Sequence, residues 1–257
     1  MAETAFCGIF CKFFATTGAA FAFFAPECYN RESKPTPPGV FPGTIFQERR
    51  LFAMSTVSER LAALRSAMRG AGVAAYLIPT GDPHSSEYLP AHYNSREYFS
   101  GFTGENSTLV VTLTKSALWA DGRFFVQAEK QLAGTEIELM RMGEPGVPTV
   151  EQYCADALQE GEKLGLCGLT ASCQLVRGLQ KVLDPKGVAV CTLNLEDELW
   201  TENRPPLPAT PAWLLPAAYA GATPAEKLAR LRAKLAELGC TAQMVGKLDN
   251  LAWLLNL

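Results

Sequence analysis

The stretch ALWADGRFFVQAEKQL, residues 117–132, holds the groups in this chain best suited to recognition chemistry. A short apolar run ends at Trp119-Ala120, Asp121-Gly122-Arg123 follows, and an amphipathic segment begins at Phe124. Arginine carries a planar fork of N–H donors that matches a carboxylate or a carbonyl. Two readings of Arg123 stand. In one, Asp121 caps the coming helix and Arg123 pairs with a surface carboxylate. In the other, the guanidinium sits at the mouth of a sheet, where α/β units bind ligands, and contacts a substrate carboxylate or carbonyl.

Other catalytic signatures are missing from the sequence. It contains no GxSxG elbow, no HExxH, no phosphate loop and no GxGxxG. His84 and His92 lie eight apart in a polar segment with Glu87 between them. They read as hydrogen-bonding groups of a loop, because a catalytic metal needs three or four convergent ligands with a supporting shell. No metal ligand and no catalytic residue is assigned to this chain.

The elements that must position Arg123 can be read from periodicity. Thr56 and Glu59 form a capping box, and Val57, Leu61, Leu64 and Met68 repeat at helical spacing. Val73–Ile78 reads as a buried strand, and Ser107–Leu113 with Ala117–Ala120 as a hairpin. Helices are expected over Ser95–Phe99, Phe124–Leu132, from Thr149, and over Ser172–Leu183. Further strands are expected over Glu136–Met142, Leu164–Cys167 and Val188–Leu193. Strands and helices alternate after the hairpin, which predicts an α/β fold, a mixed sheet with helices on both faces. Residues 204–216 carry five prolines and no helical period, the mark of a stiff linker. Thr223, Pro224 and Glu226 then open a new helix with a Leu228, Leu231, Leu235, Leu238 stripe. Thr241–Val245 reads as a strand and Leu248–Leu257 as a helix.

These signals divide the chain into 1–53, an unpatterned extension; 54–204, a first domain; 205–222, a linker; and 223–257, the start of a second domain. Met54 reads as the natural start, with 1–53 an over-extended gene reading or a targeting segment. The apolar end, LAWLLNL, reads as a cut through a domain, with Trp253, Leu254, Leu255 and Leu257 lacking partners.

Composition narrows the function classes. Of 257 residues 48% are apolar and 19% charged, which suits a globular core, and the net charge of −3 disfavours nucleic acid as a partner. The apolar run within 13–25 is too short to span a membrane. The eight cysteines form no CxxC pair and read as free thiols of a reducing, cytoplasmic compartment.

Six segments, YLIPTGDPHSSEYLP, REYFSGFTGENSTLVVT, ALWADGRFFVQAEKQL, LEDELWTENRPPLP, AYAGATPAEKLARLRAKL and LDNLAWLLNL, together resemble the three-domain cytosolic Xaa-Pro aminopeptidases (aminopeptidase P). The resemblance runs from Met54 to Leu257. It implies a creatinase/prolidase N-terminal domain fold, then a truncated second domain of similar type. It implies that the intact enzyme is a homodimer that removes the N-terminal residue from peptides with proline second, using two Mn(2+) held in a catalytic domain outside this chain. It also implies that Arg123 contacts the peptide substrate. Ala120, Phe124 and Glu105 depart from the family's usual Thr, Tyr and Ser. A stand-alone binding or dimerisation module, or a fragment of another creatinase- or prolidase-type homologue, is the alternative.

Overall fold

The computed structural model describes residues 56–257. The proposed extension 1–53 and the start at Met54 lie outside the described residues. A six-stranded sheet has the order β4-β3-β2-β1-β5-β6. Its strands are β1 Ala75–Pro79, β2 Thr108–Thr112, β3 Ser116–Ala120, β4 Ile137–Arg141, β5 Lys163–Leu166 and β6 Ala189–Thr192. β2 runs antiparallel to both neighbours, and the other pairs are parallel. The carboxyl ends of β1, β3, β4, β5 and β6 therefore share one edge of the sheet.

Alternation along the strands builds two apolar layers, because successive side chains point to opposite faces. Tyr76, Ile78, Leu109, Val111 and Leu118 face one layer. That layer is covered by helix α1 (Val57–Ala71) through Leu61, Leu64 and Met68, by α2 (Ser95–Ser100) through Phe99, and by α3 (Phe125–Leu132) through Ala128 and Leu132. Ala75, Leu77, Val110, Trp119, Leu164 and Leu166 face the other. There α4 (Val150–Ala157) contributes Cys154 and Ala155, and α5 (Cys173–Leu183) contributes Leu179 and Leu183. Helices cover both faces, as the alternating pattern predicts.

Helix starts follow the sequence closely. Thr56 with Glu59, Thr149 with Gln152, and Thr223 with Glu226 each form a reciprocal capping box. Gly72 ends α1 in the left-handed region at φ 67°, a conformation that costs glycine little. Two helices go unread, and one reading fails. A short helix, α6 (Leu195–Leu199), and one turn, α7 (Ala217–Ala220), form where only the end of a domain and a linker were expected. Asn194 supplies the cap of α6, accepting from the Asp197 amide at 3.2 Å. Thr241–Val245 is not a strand. A strand needs a neighbour to receive its ladder bonds, and no sheet edge among the described residues pairs with it.

Beyond Pro216 the chain forms α8 (Pro224–Glu237) and α9 (Leu248–Leu255). Of the four apolar residues expected to lack partners, Trp253 is 62% and Leu257 46% exposed, Leu255 is half-buried and Leu254 is buried. The reason is Lys227 on α8. Its buried Nζ donates to the Trp253 carbonyl and to Asn256 Oδ1, both at 2.7 Å, and lies 4.5 Å from the Trp253 ring centre. These contacts draw α9 onto α8. No helix of the described residues is long and apolar enough to cross a membrane.

Candidate functional site

Arg123 lies just beyond the carboxyl end of β3, on the edge where five parallel strands terminate. In open α/β sheets ligands bind outside this edge. The chain turns tightly here, with the Phe124 amide donating to the Asp121 carbonyl at 3.0 Å. Helix α3 starts at Phe125 after an N-cap, Phe124, that makes no side-chain cap bond.

Asp121 is thus not the cap of α3. Its carboxylate turns to Arg123 instead. Oδ1 accepts the Arg123 backbone N–H at 3.0 Å and Nε at 3.1 Å, and Oδ2 accepts Nη2 at 2.7 Å. A guanidinium fork offers two parallel charge-assisted bonds, which outcompetes the single neutral donor of a helix N-terminus. The Asp121 carboxyl is held down to about 2, chiefly by the Arg123 side-chain bonds and then by its backbone N–H and by Asn106. The same pairing raises the Arg123 guanidinium. The Arg123 side chain remains 66% exposed. Among the described residues its Nη1 has no acceptor. One edge of Arg123 thus makes a local ion pair, and the other end is open.

Phe124 supports this arrangement from below. The Arg123 guanidinium carbon lies 5.2 Å from the Phe124 ring centre, and that ring meets Phe102 edge-on at 6.3 Å. Phe124 packs against the core layer under α1, so a phenolic oxygen is not needed for that contact.

The neighbouring turn, Gly101–Asn106, is held by Arg96, which the sequence reading passed over. Arg96 is 5% exposed. It donates from Nη1 to the Phe102 carbonyl, from Nη2 to the Gly104 carbonyl at 2.6 Å, and from Nε to Thr80 Oγ1 at 3.3 Å. Burial depresses its pKa to about 10, with the neighbouring Glu97 charge acting in the opposite sense. Thr103 is fixed from α3, accepting at Oγ1 from Gln127 and Gln131, both at 2.9 Å. In REYFSGF the arginine stands beside Glu97 and ahead of Ser100, so the local sequence does not mark it as buried.

The histidines are not brought together. His84 Nδ1 donates to the Gly246 carbonyl at 3.1 Å, and His92 Nδ1 to the Pro205 carbonyl at 2.8 Å. Both therefore serve as hydrogen-bonding groups of their loop. Among the described residues no three His, Cys, Asp or Glu side chains gather where a metal ion could sit. The described residues assemble no ligand set that fits a metal pair. A cleft of about 660 Å³ lies elsewhere, between α1, α2 and residues 199–205, with Tyr98 stacked on Trp200 at 4.7 Å. Neither Arg123 nor Asp121 lines it, and the open edge of Arg123 is the better candidate because it combines position, charge and a free donor.

Residues 60–196 match the creatinase/prolidase N-terminal domain family, and residues 203–257 match a second family of the same description. Aminopeptidase P2 of Arabidopsis thaliana is 41% identical over 206 residues, covering 78% of this chain and 29% of its own length. A probable Xaa-Pro aminopeptidase P of Sordaria macrospora is 41% identical over 203 residues, covering 78% of this chain and 33% of its own. The crystal structure of an X-prolyl aminopeptidase from Caenorhabditis elegans, described as a cytosolic enzyme with a di-nuclear active site, superposes with a TM-score of 0.72 at 35% identity, over 78% of this chain and 34% of that one. The chain spans about a third of the length of these relatives.

Proposed function

Because the chain belongs to the creatinase/prolidase N-terminal domain family, we propose that it supplies the substrate-contacting domain of an Xaa-Pro aminopeptidase, with Arg123 as the residue that reaches the peptide. The observation that carries this reading is the half-open guanidinium of Arg123. Asp121 takes its Nε and Nη2 edge, while Nη1 is left for an acceptor that the described residues do not provide. A peptide offers such acceptors in its carbonyls and its terminal carboxylate. Arginine suits either, because its donors are planar and pre-oriented.

In this reading the bond-breaking chemistry is done outside the chain. Paired divalent metals activate water and polarise the scissile carbonyl in such hydrolases. The di-nuclear site of the nematode enzyme supports a metal pair in the whole enzyme, and we take manganese as its metal. The part played by residues 56–257 is to bind and orient. Residues 54–204 form the contact domain, 205–222 a linker and 223–257 the beginning of a second creatinase-like unit. Homodimerisation and a cytosolic setting belong to the same proposal, the latter supported by the nematode relative.

A segment exchange tests the reading. The matched 206-residue segment of the Arabidopsis enzyme is replaced by the corresponding residues of this chain, and Arg-Pro-Pro is supplied with manganese. Release of free arginine is expected from the exchanged enzyme, and none from this chain alone. A correctly folded, metal-loaded exchange enzyme without that activity would contradict it.

A further inference from the structure

The register of the β2–β3 hairpin carries an inference beyond Arg123 itself. The pairing sets Thr108 against Trp119 and Leu109 against Leu118. Continued two residues past Trp119, it sets Asn106 opposite Asp121. The structure shows contact across that pair: Asn106 Nδ2 donates to Asp121 Oδ2 at 3.3 Å. This is the same oxygen that accepts Arg123 Nη2 at 2.7 Å.

Asn106 occupies the left-handed region, with φ 46°. Glycine is the default residue there, and asparagine is the side chain that tolerates it best. A glycine would satisfy the turn but could not reach Asp121. Both flanks of the turn are pinned. Thr80 N–H donates to the Ser107 carbonyl at 3.0 Å on one side, and Arg96 binds the Phe102 and Gly104 carbonyls on the other. Asn106 thus presents its amide to Asp121 from a rigid base. Glu105, next to it, also acts electrostatically on Arg123, the smallest of the influences on that guanidinium.

We propose that Asn106 is a positioning residue for the peptide contact: through Asp121 it fixes the Arg123 guanidinium on its Nε and Nη2 edge and leaves Nη1 for a carbonyl or carboxylate of the bound peptide. The inference rests on the reading of Arg123 as the peptide-contacting residue. Asn106 itself touches no substrate. Its effect passes through one carboxylate, and losing it loosens the hold on Arg123.

The test uses the full 257-residue chain, isotopically labelled, as wild type and as Asn106→Gly, Asn106→Asp and Arg123→Lys. Glycine keeps the left-handed backbone and deletes only the amide. Aspartate keeps the shape and sets a second carboxylate against Asp121. Three signals are followed: the Asp121 carboxyl titration, the Arg123 Nε–H resonance, and shifts caused by added Arg-Pro-Pro. Asn106→Gly is expected to raise the Asp121 midpoint by roughly half to one unit, less than a full charged hydrogen bond because the 3.3 Å contact is long and exposed. Asn106→Asp is expected to raise it further. In both variants the Arg123 Nε–H should broaden while the amides of the sheet stay in place. Peptide binding should weaken by about three- to tenfold. An Asp121 midpoint and an Arg123 resonance unchanged in Asn106→Gly would overturn the proposal. The Arg123→Lys arm separates it from the reading beneath it. If Asn106→Gly moves Asp121 and Arg123 while the peptide perturbs wild type and Arg123→Lys alike, Asn106 positions Arg123 and the substrate role of Arg123 is wrong.

Discussion

Asp121 grips Arg123 by one edge only, accepting Nε at 3.1 Å and Nη2 at 2.7 Å while Nη1 stays open. A free surface arginine would sample many rotamers and lose that freedom on binding. Here part of the entropy is already spent in the fold, which lowers the cost of ordering at the moment of recognition. Because the pair is exposed to solvent, its worth lies in orientation more than in stability.

The buried guanidinium of Arg96 should be among the costliest side chains to remove. Its charge is met by two carbonyls and a threonine hydroxyl. Arg96→Met would fill similar space and leave the Phe102 and Gly104 carbonyls without their donors. A loss of about 2–3 kcal/mol in urea unfolding is expected, since unpaired buried polar groups carry most of their desolvation cost. Wild-type stability in that variant would mean that water replaces Arg96 beneath the turn.

Gly104 cannot carry a side chain without displacing its neighbour. A Cβ there would lie 2.3 Å from Phe102 Cζ. Gly104→Ala should drive the Phe102 ring from its core position and cost about 1–3 kcal/mol, the usual range for overpacking. The aromatic resonances of Phe102 and Phe124 report the move directly. If both stay in place and the melting temperature is unchanged, the turn is softer than its contacts indicate.

Much of this architecture is legible in the residues alone. Capping boxes mark α1, α4 and α8, and short apolar runs bounded by turn residues mark the central strands. The hairpin predicts that Asp121 and Asn106 face each other, yet the pair was missed. Its signal needs the register, and register is set by tertiary pairing that no single segment records. Arg96 was missed because a buried arginine looks like any exposed one until the turn above it is folded. The false strand at Thr241–Val245 has the opposite cause. Its local pattern suits a strand, but a strand forms only where a partner edge exists.

Glu196 gives the fold a pH dependence with a definite sign. It is 2% exposed, and its Oε1 has no partner among the described residues. Burial pushes its carboxyl up to about 7, helped by the Asp197 charge, while Cys167, Arg204 and Tyr76 act in the lowering direction. The folded state therefore holds a proton that the unfolded state releases near the ordinary value of 4.5. The stabilising effect is complete below that value and is lost as pH rises through about 7. Stability measured at pH 5, 6, 7 and 8 should fall across this window, and Glu196→Gln should flatten the fall. An equal slope in the variant would assign the dependence to another group.

Lys227 should decide how firmly α9 stays on α8. Lys227→Met removes the bonds to the Trp253 carbonyl and to Asn256. Limited proteolysis with mass mapping should then cut within residues 241–257 several times faster, while fragments covering the six-stranded sheet persist. Equal cleavage rates in both proteins would place the hold on α9 in its apolar contacts, Leu254 foremost.

The most direct measurement is steady-state hydrolysis of Arg-Pro-Pro by the segment-exchange enzyme, compared with its Arg123→Lys variant at equal metal content. Lysine keeps the charge and loses the planar fork. A hydrogen bond to a charged group is worth about 1.5–3 kcal/mol, so kcat/KM should fall roughly ten- to hundredfold with folding unchanged. Identical kcat/KM in the two enzymes would contradict the assignment of Arg123 as the peptide contact and leave it a surface ion pair with Asp121.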